Sequence, residues 1–124
     1  MSGFSFPREQ KLKSQKLIDS LFQDGQSIKS FPVIGVWKRI VSEESLCQVG
    51  FSVSKRNFKR AVDRNTIKRK MREAFRLNQA ILKPSEKPDS QLVFMIIFVG
   101  KALPDYVLVE EKIISLLNRL SEID

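Results

Sequence analysis

The chain has 124 residues, 42% of them hydrophobic, a size and composition that suit one compact domain with a modest core. It contains no histidine, so the most usual general base is missing. Its single cysteine, Cys47, excludes an internal disulfide and a cysteine-rich metal site. The net charge of +8 points to a polyanionic partner, either a nucleic acid or an anionic membrane.

The first predicted element is a short helix in "SQKLIDSLFQDG", residues 14–25. Ser14 is suited to cap its start, and Gly25 is suited to adopt the left-handed conformation just beyond its end. Four apolar residues at helical spacing share one face, namely Leu17, Ile18, Leu21 and Phe22. This pattern predicts an amphipathic helix that packs on the rest of the domain.

Two strands are predicted next, in "FPVIGVWKRI" (residues 31–40) and "LCQVGFSVS" (residues 46–54), and the acidic "SEES" between them is typical of a hairpin connection. The second strand alternates. One side carries Cys47, Val49, Phe51 and Val53, and the other carries Gln48, Gly50, Ser52 and Ser54. The alternation predicts a half-buried strand whose small-residue face could let a nucleic-acid backbone pass closely.

A basic helix is predicted from about Val62 to about Leu82. Its apolar face at 100° per residue consists of Ile67, Met71, Ala74 and Phe75. A neighbouring arc carries Asn65, Lys68, Arg69, Arg72 and Arg76, with Arg64 on its border and Lys70 on the far flank. The segment 52–76 contains 10 of the 22 basic residues and 2 of the 14 acidic residues, so it carries the entire net charge. We expect this cationic arc to lie against phosphates.

Pro84 and Pro88 bracket a loop, and "QLVFMIIFVG" (residues 91–100) then predicts a strand buried on both faces. No signal peptide is visible, and the longest apolar run, residues 92–99, is far shorter than a membrane span of about 20 residues, so a cytosolic location is expected. A last amphipathic helix buries Val109, Ile113, Leu116, Leu117 and Leu120. Together the elements predict an α+β sandwich, with helices on a small mixed sheet, in one domain spanning residues 1–124.

The basic helix alone leaves several classes of function open. A membrane-surface helix is disfavoured because the apolar arc is narrow and contains Ala74. A solvated face without a partner is disfavoured because the excess charge is confined to one segment. A DNA-reading helix is disfavoured because the arc is uniformly basic rather than carrying two or three base-reading side chains. A ribosomal protein or RNA chaperone with no part in cleavage stays open.

The segment "GFSVSKRNFKRAVDRNTIKRKMREAFR", residues 50–76, resembles the central motif of the protein subunit of bacterial ribonuclease P, in which a strand ending in "SVSKK" precedes a basic loop and "RNRIKR". The opening "FPREQKLKSQKLIDSLFQDG" and the closing "VGKALPDYVLVEEKIISLLNRL" are similar to the family's start and end. The predicted elements follow the order α-β-β-β or α-β-β, then α-β-α. The resemblance favours the αβββαβα order, with about four strands and three helices. It also implies a left-handed crossover between the two parallel strands, which general rules of topology would not predict.

The resemblance further implies a division of labour with a catalytic RNA subunit. In the family this RNA uses bound Mg²⁺ to hydrolyse the bond that joins the 5′ leader to precursor tRNA, and the protein helps it to hold substrate and metal. It therefore implies no catalytic residue and no metal ligand on this chain, and neither a DNA nor a membrane partner. The acidic residues of the basic segment fit this, because Asp63 and Glu73 point about 80° apart on the helix and form no paired site.

The resemblance implies two sets of site residues. Contacts to the catalytic RNA fall on Arg60, Arg64, Asn65, Lys68, Arg69, Arg72 and Arg76. A cleft for the leader is implied at Ile18, Phe22, Val36, Lys55, Arg56 and Lys101. Thr66 replaces an arginine of the family's motif, Ile18 replaces an aromatic residue, and either Val36 or Trp37 faces the cleft. A single-stranded leader needs aromatic platforms beside a positive rim, although plain core packing is equally open for Phe22.

Overall fold

The computed structural model describes residues 11–12, 14–41, 47–82 and 90–123. The helices are α1 (Gln15–Asp24), α2 (Ala61–Asn78) and α3 (Tyr106–Ile123), and a short 3₁₀ helix (Gln79–Ile81) follows α2. The strands are β1 (Gln26–Ser30), β2 (Val33–Val41), β3 (Gln48–Val53) and β4 (Ser90–Phe98). The predicted αβββαβα order is confirmed, and α2 starts and ends close to the predicted bounds.

The four strands form one mixed sheet in the order β1-β2-β4-β3. β2 pairs antiparallel with both β1 and β4, whereas β3 pairs parallel with β4. β4 therefore lies inside the sheet, and all its residues except Ser90 and Ile97 are buried, as its unbroken apolar sequence predicts. The helix α2 connects the two parallel strands, and the handedness of that connection stays a prediction.

The hairpin predicted between residues 31–40 and residues 46–54, which form β2 and β3, is wrong. β2 and β3 do not pair with each other, because β4 lies between them and pairs with both. A strand with no polar face buries most area in the interior of a sheet, so β4 takes this position although it comes last in the chain. The "SEES" segment itself, residues 42–45, lies outside the described residues.

Helices cover both faces of the sheet. On one face, α2 and α3 bury every apolar residue predicted for them around a core that includes Trp37, Phe94 and Phe98. On the other face, α1 covers a smaller cluster that consists of Leu12, Leu21, Val36, Val93 and Met95. The sheet thus has a large core on the α2–α3 side and a thinner one on the α1 side.

Gly25 ends α1 in a way that the sequence did not predict. Ser14 caps the start as expected, since its Oγ accepts a hydrogen bond from the Leu17 amide at 3.3 Å. Gly25, however, is extended, with φ −73° and ψ 159°, so the predicted left-handed conformation is wrong. Glycine is needed there for space, because a Cβ atom would clash with the carbonyl oxygen of Leu21 and lie 3.1 Å from that of Trp37. The chain can therefore turn directly from α1 into β1.

Candidate nucleic-acid interface

The side of α2 that faces away from the core carries a cationic ridge, which we define as Asn65, Lys68, Arg69, Arg72 and Arg76. Asn65, Arg69 and Arg72 are exposed, and Lys68 and Arg76 are half-buried. The neighbouring side of α2 is fixed in the core by four fully buried residues. A helix anchored in this way presents the ridge in a single orientation.

Arg72 is held over an aromatic ring. Its guanidinium carbon lies 5.9 Å from the centroid of the Phe51 ring, within the range of a cation–π contact. The Phe51 ring in turn meets Phe75 edge to face, with the ring centroids 6.1 Å apart. Since Phe75 is buried in the core, this stack fixes the middle of the ridge relative to β3.

Among the described residues, Arg76 is the member of the ridge that forms an ion pair with an acidic side chain. Its guanidinium donates two hydrogen bonds to the Glu73 carboxylate, at 2.5 and 3.1 Å. These hydrogen bonds lower the pKa of Glu73 and raise the pKa of Arg76. The i,i+3 spacing of the two residues indicates such a pair in the sequence, but the sequence reasoning did not use it. The C-terminal end of the ridge is therefore partly neutralised.

Arg64 lies at the start of α2, where it contacts the preceding loop. Its Nη1 donates to the carbonyl oxygens of Phe58 and Lys59, at 2.8 and 2.9 Å. Phe58 is buried and stacks at a tilt against Phe98, with the ring centroids 5.9 Å apart. Arg60, directly before the helix, is exposed and makes no side-chain cap hydrogen bond. Arg64 thus orders the loop between β3 and α2, residues 54–60, which we call the basic loop, and it also adds charge beside the ridge.

The basic loop is also joined to the loop after β4. Asn57 donates from Nδ2 to the carbonyl oxygens of Val99 and Gly100, each at 3.3 Å. Lys55 and Arg56 precede Asn57 and Lys101 follows Gly100, and all three of these cations are exposed. Sequence reasoning missed Asn57, because a turn residue that bonds to chain more than 40 positions away leaves no periodic signal.

The sheet face beneath α1 is where the predicted leader cleft would lie. In the register of the sheet, Ile34 lies opposite Ile97, which lies opposite Ser52 on β3. All three are only half-buried, and we call them the cleft floor. Val36 belongs to the same face but is buried beneath α1, whereas Trp37 is buried in the core on the α2–α3 side. Of the two neighbours, Val36 is therefore the one on the cleft side of the sheet.

The two flanks of α1 have different roles. On one flank, Ser20 and Asp24 accept hydrogen bonds from the Lys38 Nζ of β2, at 2.7 and 2.8 Å. Ile18 and Phe22 lie on the other flank, about 160° around the helix. Ile18 packs against the same apolar cluster as Ile34 and Ile97 of the cleft floor. Ile18 is half-buried and Phe22 is 57% exposed, so Phe22 is not part of the core.

The strand ends bring the predicted cleft cations together. β3 and β4 run parallel and end side by side, with Val53 opposite Phe98. The basic loop follows β3, the loop that carries Lys101 follows β4, and the turn between β1 and β2 lies at the same end of the sheet. The cleft floor thus runs from the exposed flank of α1 to an edge that carries positive charge.

Two titratable groups away from the ridge have raised pKa values. Burial raises the pKa of the Cys47 thiol to about 12, and burial together with a hydrogen bond to Glu110 raises the pKa of Tyr106 to about 12. Among the described residues, no three His, Cys, Asp or Glu side chains are grouped so that they could hold a metal ion. Within the same residues, no helix is both long enough and apolar enough to cross a membrane. The chemistry that this surface supports is the binding of anions.

Comparison with protein families and characterised sequences gives a consistent result. A family model described as Ribonuclease P matches residues 6–121. The chain is 31% identical over 123 residues to the "Ribonuclease P protein component" of Porphyromonas gingivalis strain W83, covering 95% of this chain and 88% of that protein. It is 41% identical over 86 residues to the protein of the same name from Photorhabdus laumondii, covering 69% of this chain and 71% of that one.

Solved structures share the fold. The RNase P protein from Thermotoga maritima superposes with a TM-score of 0.71 at 22% identity, over 88% of this chain and 96% of that chain. The Staphylococcus aureus RNase P protein superposes with a TM-score of 0.66 at 16% identity, over 92% and 96% of the two chains. At these identities the similarity shows that the mixed sheet and its three helices follow the same architecture.

Proposed function

The chain belongs to the ribonuclease P protein family, and from this premise we propose that it binds both the catalytic RNA of ribonuclease P and the 5′ leader of precursor tRNA. In this proposal the RNA subunit holds Mg²⁺ and hydrolyses the phosphodiester bond. The protein contributes binding surface and positive charge to tRNA 5′ maturation in the cytoplasm. It is a component of the endoribonuclease without being its catalyst.

The observation that carries the proposal is the cationic ridge on α2. Like charges at i,i+4, as in Lys68 and Arg72, destabilise a helix by about 0.2–0.5 kcal/mol per pair when no anion lies opposite. An RNA backbone would reverse that sign and release condensed counterions. Arginine also binds phosphate in a bidentate manner, which suits a folded RNA with closely spaced phosphates. We therefore assign the ridge to the catalytic RNA.

The groove beside α1 supports the second half of the proposal. A single-stranded leader needs an aromatic or apolar surface for its bases and a positive rim for its phosphates. The exposed Phe22 ring and the half-buried cleft floor offer the first, and Lys55, Arg56 and Lys101 offer the second. We assign this groove to the leader, so a mature tRNA, which has none, would not use it.

The test is reconstitution with the RNA subunit from the same organism. Cleavage of precursor tRNA is measured at limiting Mg²⁺ with and without the chain, and we expect the chain to raise the rate. A variant with Lys68, Arg69 and Arg72 changed to alanine should lose most of this increase, whereas Lys112→Ala, on α3, should retain it. A rate that the chain leaves unchanged would refute the proposal and favour a binding-only RNA protein.

Competition between polyanions separates RNA from DNA as the partner. We expect structured RNA to displace the labelled catalytic RNA at physiological salt much more effectively than duplex DNA of equal length. The ridge suits phosphates and carries no evident set of base-reading side chains. Equal displacement by duplex DNA would contradict the assignment of the ridge to RNA.

A further inference from the structure

An exposed aromatic ring outside the predicted site lies at the end of the sheet. β1 and β2 are joined by a two-residue turn of Phe31 and Pro32, and Phe31 is 72% exposed. The Pro32 carbonyl oxygen accepts a hydrogen bond from the Val99 amide at 2.8 Å. A Cβ atom on Gly100 would lie 3.0 Å from the Pro32 Cβ, so the turn packs directly on the loop after β4. The backbone is therefore held in place while the Phe31 ring faces solvent.

Cations surround this turn. Lys29 is exposed and pairs with Ile34, which places it on the cleft side of β1. Lys101 is exposed and follows the glycine against which the turn packs. Arg119 of α3, also exposed, donates from Nη1 to the Lys29 carbonyl oxygen. The turn that carries Phe31 is thus close in the fold to positively charged residues, at the same end of the sheet as the cations assigned to the leader.

We propose that Phe31 is a stacking platform for a nucleobase of the single-stranded leader, and that it extends the leader groove beyond α1 to the β1–β2 turn. The inference rests on the proposed function, because it takes the occupant of the groove to be the leader. An exposed aromatic ring on an anchored turn, with cations nearby, is the arrangement that binds single strands, and in this proposal the base lies on the ring and the phosphates lie on Lys29 and Lys101. Paired bases are already stacked in a duplex, so single-stranded RNA is the occupant that this ring suits.

A protein partner fits the turn less well. Docking surfaces for proteins are contiguous apolar patches of several hundred Å². The chain neighbours of Phe31 are Ser30 and Lys29 on one side and a buried Pro32 on the other. The residues that flank Phe31 in the chain therefore add no large exposed apolar side chain to its ring, which by itself matches the size of a single base.

The experiment uses the complex of RNA subunit and full chain, with precursor tRNAs that carry 2-aminopurine at successive leader positions. With the native protein, we expect the fluorescence to change on binding at one position beyond those affected by Phe22→Ala. Phe31→Ala and Phe31→Leu should abolish that change and weaken precursor binding about 5-fold or more, while Phe31→Tyr, which keeps the ring, should retain both.

Matched controls make the outcomes decisive. Val41, 92% exposed at the opposite end of β2, provides an apolar truncation far from the groove, so Val41→Ala should bind every leader normally. If Phe31→Ala matches the native protein for every leader, or weakens precursor and mature tRNA equally, the inference about Phe31 is overturned. If the native complex itself does not prefer precursor to mature tRNA, the proposed leader groove fails and the inference fails with it.

Discussion

Arg64 donates from Nη1 to the carbonyl oxygen of Phe58 at 2.8 Å, and this bond fixes the basic loop to the first turn of α2. The family resemblance assigns Arg64 to the catalytic RNA. A guanidinium has five N–H donors, so one side chain can anchor the loop and still present donors to a phosphate. We therefore expect Arg64 to serve both roles, with the loop geometry depending on it.

Arg64→Lys tests this double role. Lysine keeps the charge but lacks the planar guanidinium, whose Nη1 donates to both carbonyl oxygens, so the amides of residues 55–60 should exchange hydrogen faster. RNA affinity should fall, whereas the control Lys68→Arg should leave both quantities close to native. Unchanged hydrogen exchange in Arg64→Lys would show that the contacts to Phe58 and Lys59 do not order the loop.

The salt dependence of RNA binding should count the contacts of the ridge. Single changes of Lys68, Arg69 and Arg72 to alanine should each lower the magnitude of the slope of log K against log salt by about 0.7–0.9. The reason is that counterions are no longer released from a phosphate that the protein has ceased to contact. The measurement is a titration of the catalytic RNA at several salt concentrations, with Lys112→Ala as the matched control. A native slope in all three variants would show that the ridge does not contact phosphate.

Glu73→Gln should strengthen binding to the catalytic RNA. The change removes the carboxylate that accepts two hydrogen bonds from Arg76 and so takes away a negative charge that competes with phosphate for this guanidinium. Affinity should rise most at low salt, and the salt slope should increase by at most about 0.9. Glu111→Gln, on the exposed side of α3, removes the same charge elsewhere and should have a smaller effect. Equal gains in the two variants would indicate net charge alone.

The same ion pair predicts how binding depends on pH. The pKa of Glu73 is lowered from its ordinary value of 4.5 by the hydrogen bond to Arg76, so the carboxylate stays ionised as the pH falls. A group with a lowered folded pKa stabilises the folded state above its unfolded pKa and loses that effect only as the pH falls through the folded pKa. With no histidine in the chain, RNA affinity should be flat from pH 7 to about pH 5.5. A transition in that range would require a titrating group on the RNA.

The helix faces were predictable because each is a local pattern. Residues three and four positions apart share one side of a helix, so the sequence placed all four core residues of α2 and all five of α3 correctly. The interior strand β4 was predictable for a similar reason, since a strand with no polar alternation must be covered on both faces. The cationic ridge followed directly, because it is what the core face of α2 leaves exposed.

Features that depend on distant residues were not predictable. The sequence "QSIKS" of β1 has a single apolar residue, Ile28, and becomes a strand because β2 pairs with it. The extended Gly25 is set by carbonyl groups of Leu21 and Trp37 rather than by a helix-end preference. Whether Val36 or Trp37 lies on the cleft side of β2 could be decided only after the register with β4 was known. Each of these is a tertiary contact that overrides or supplements local propensity.

Asn57→Asp should separate the two halves of the interface. Aspartate has the same shape, but its carboxylate only accepts hydrogen bonds, so it would repel the carbonyl oxygens of Val99 and Gly100. The basic loop should move away from the loop that carries Lys101, and precursor tRNA should lose affinity more than the catalytic RNA does.

Asn78 provides the matched control for Asn57. It donates to Ala74 and Glu110 at the seam between α2 and α3, far from the groove. Asn78→Asp should therefore lower the free energy of unfolding without changing the preference for precursor over mature tRNA. If Asn57→Asp behaves in the same way, Asn57 stabilises the fold and does not position the cations.

Neighbouring residues of α1 should separate stability from function. Leu21 is 1% exposed, and Leu21→Ala should lower the free energy of unfolding by about 2–5 kcal/mol through lost burial and a cavity. Phe22 is 57% exposed, so Phe22→Ala should change the free energy of unfolding by no more than about 0.5 kcal/mol. Urea unfolding measures both.

With the RNA subunit present, Phe22→Ala should nevertheless weaken the binding of precursor tRNA more than the binding of mature tRNA, because only the precursor has a leader to place on the ring. An equal loss for the two tRNAs would remove Phe22 from the groove, and a large loss of stability would place its ring in the core after all.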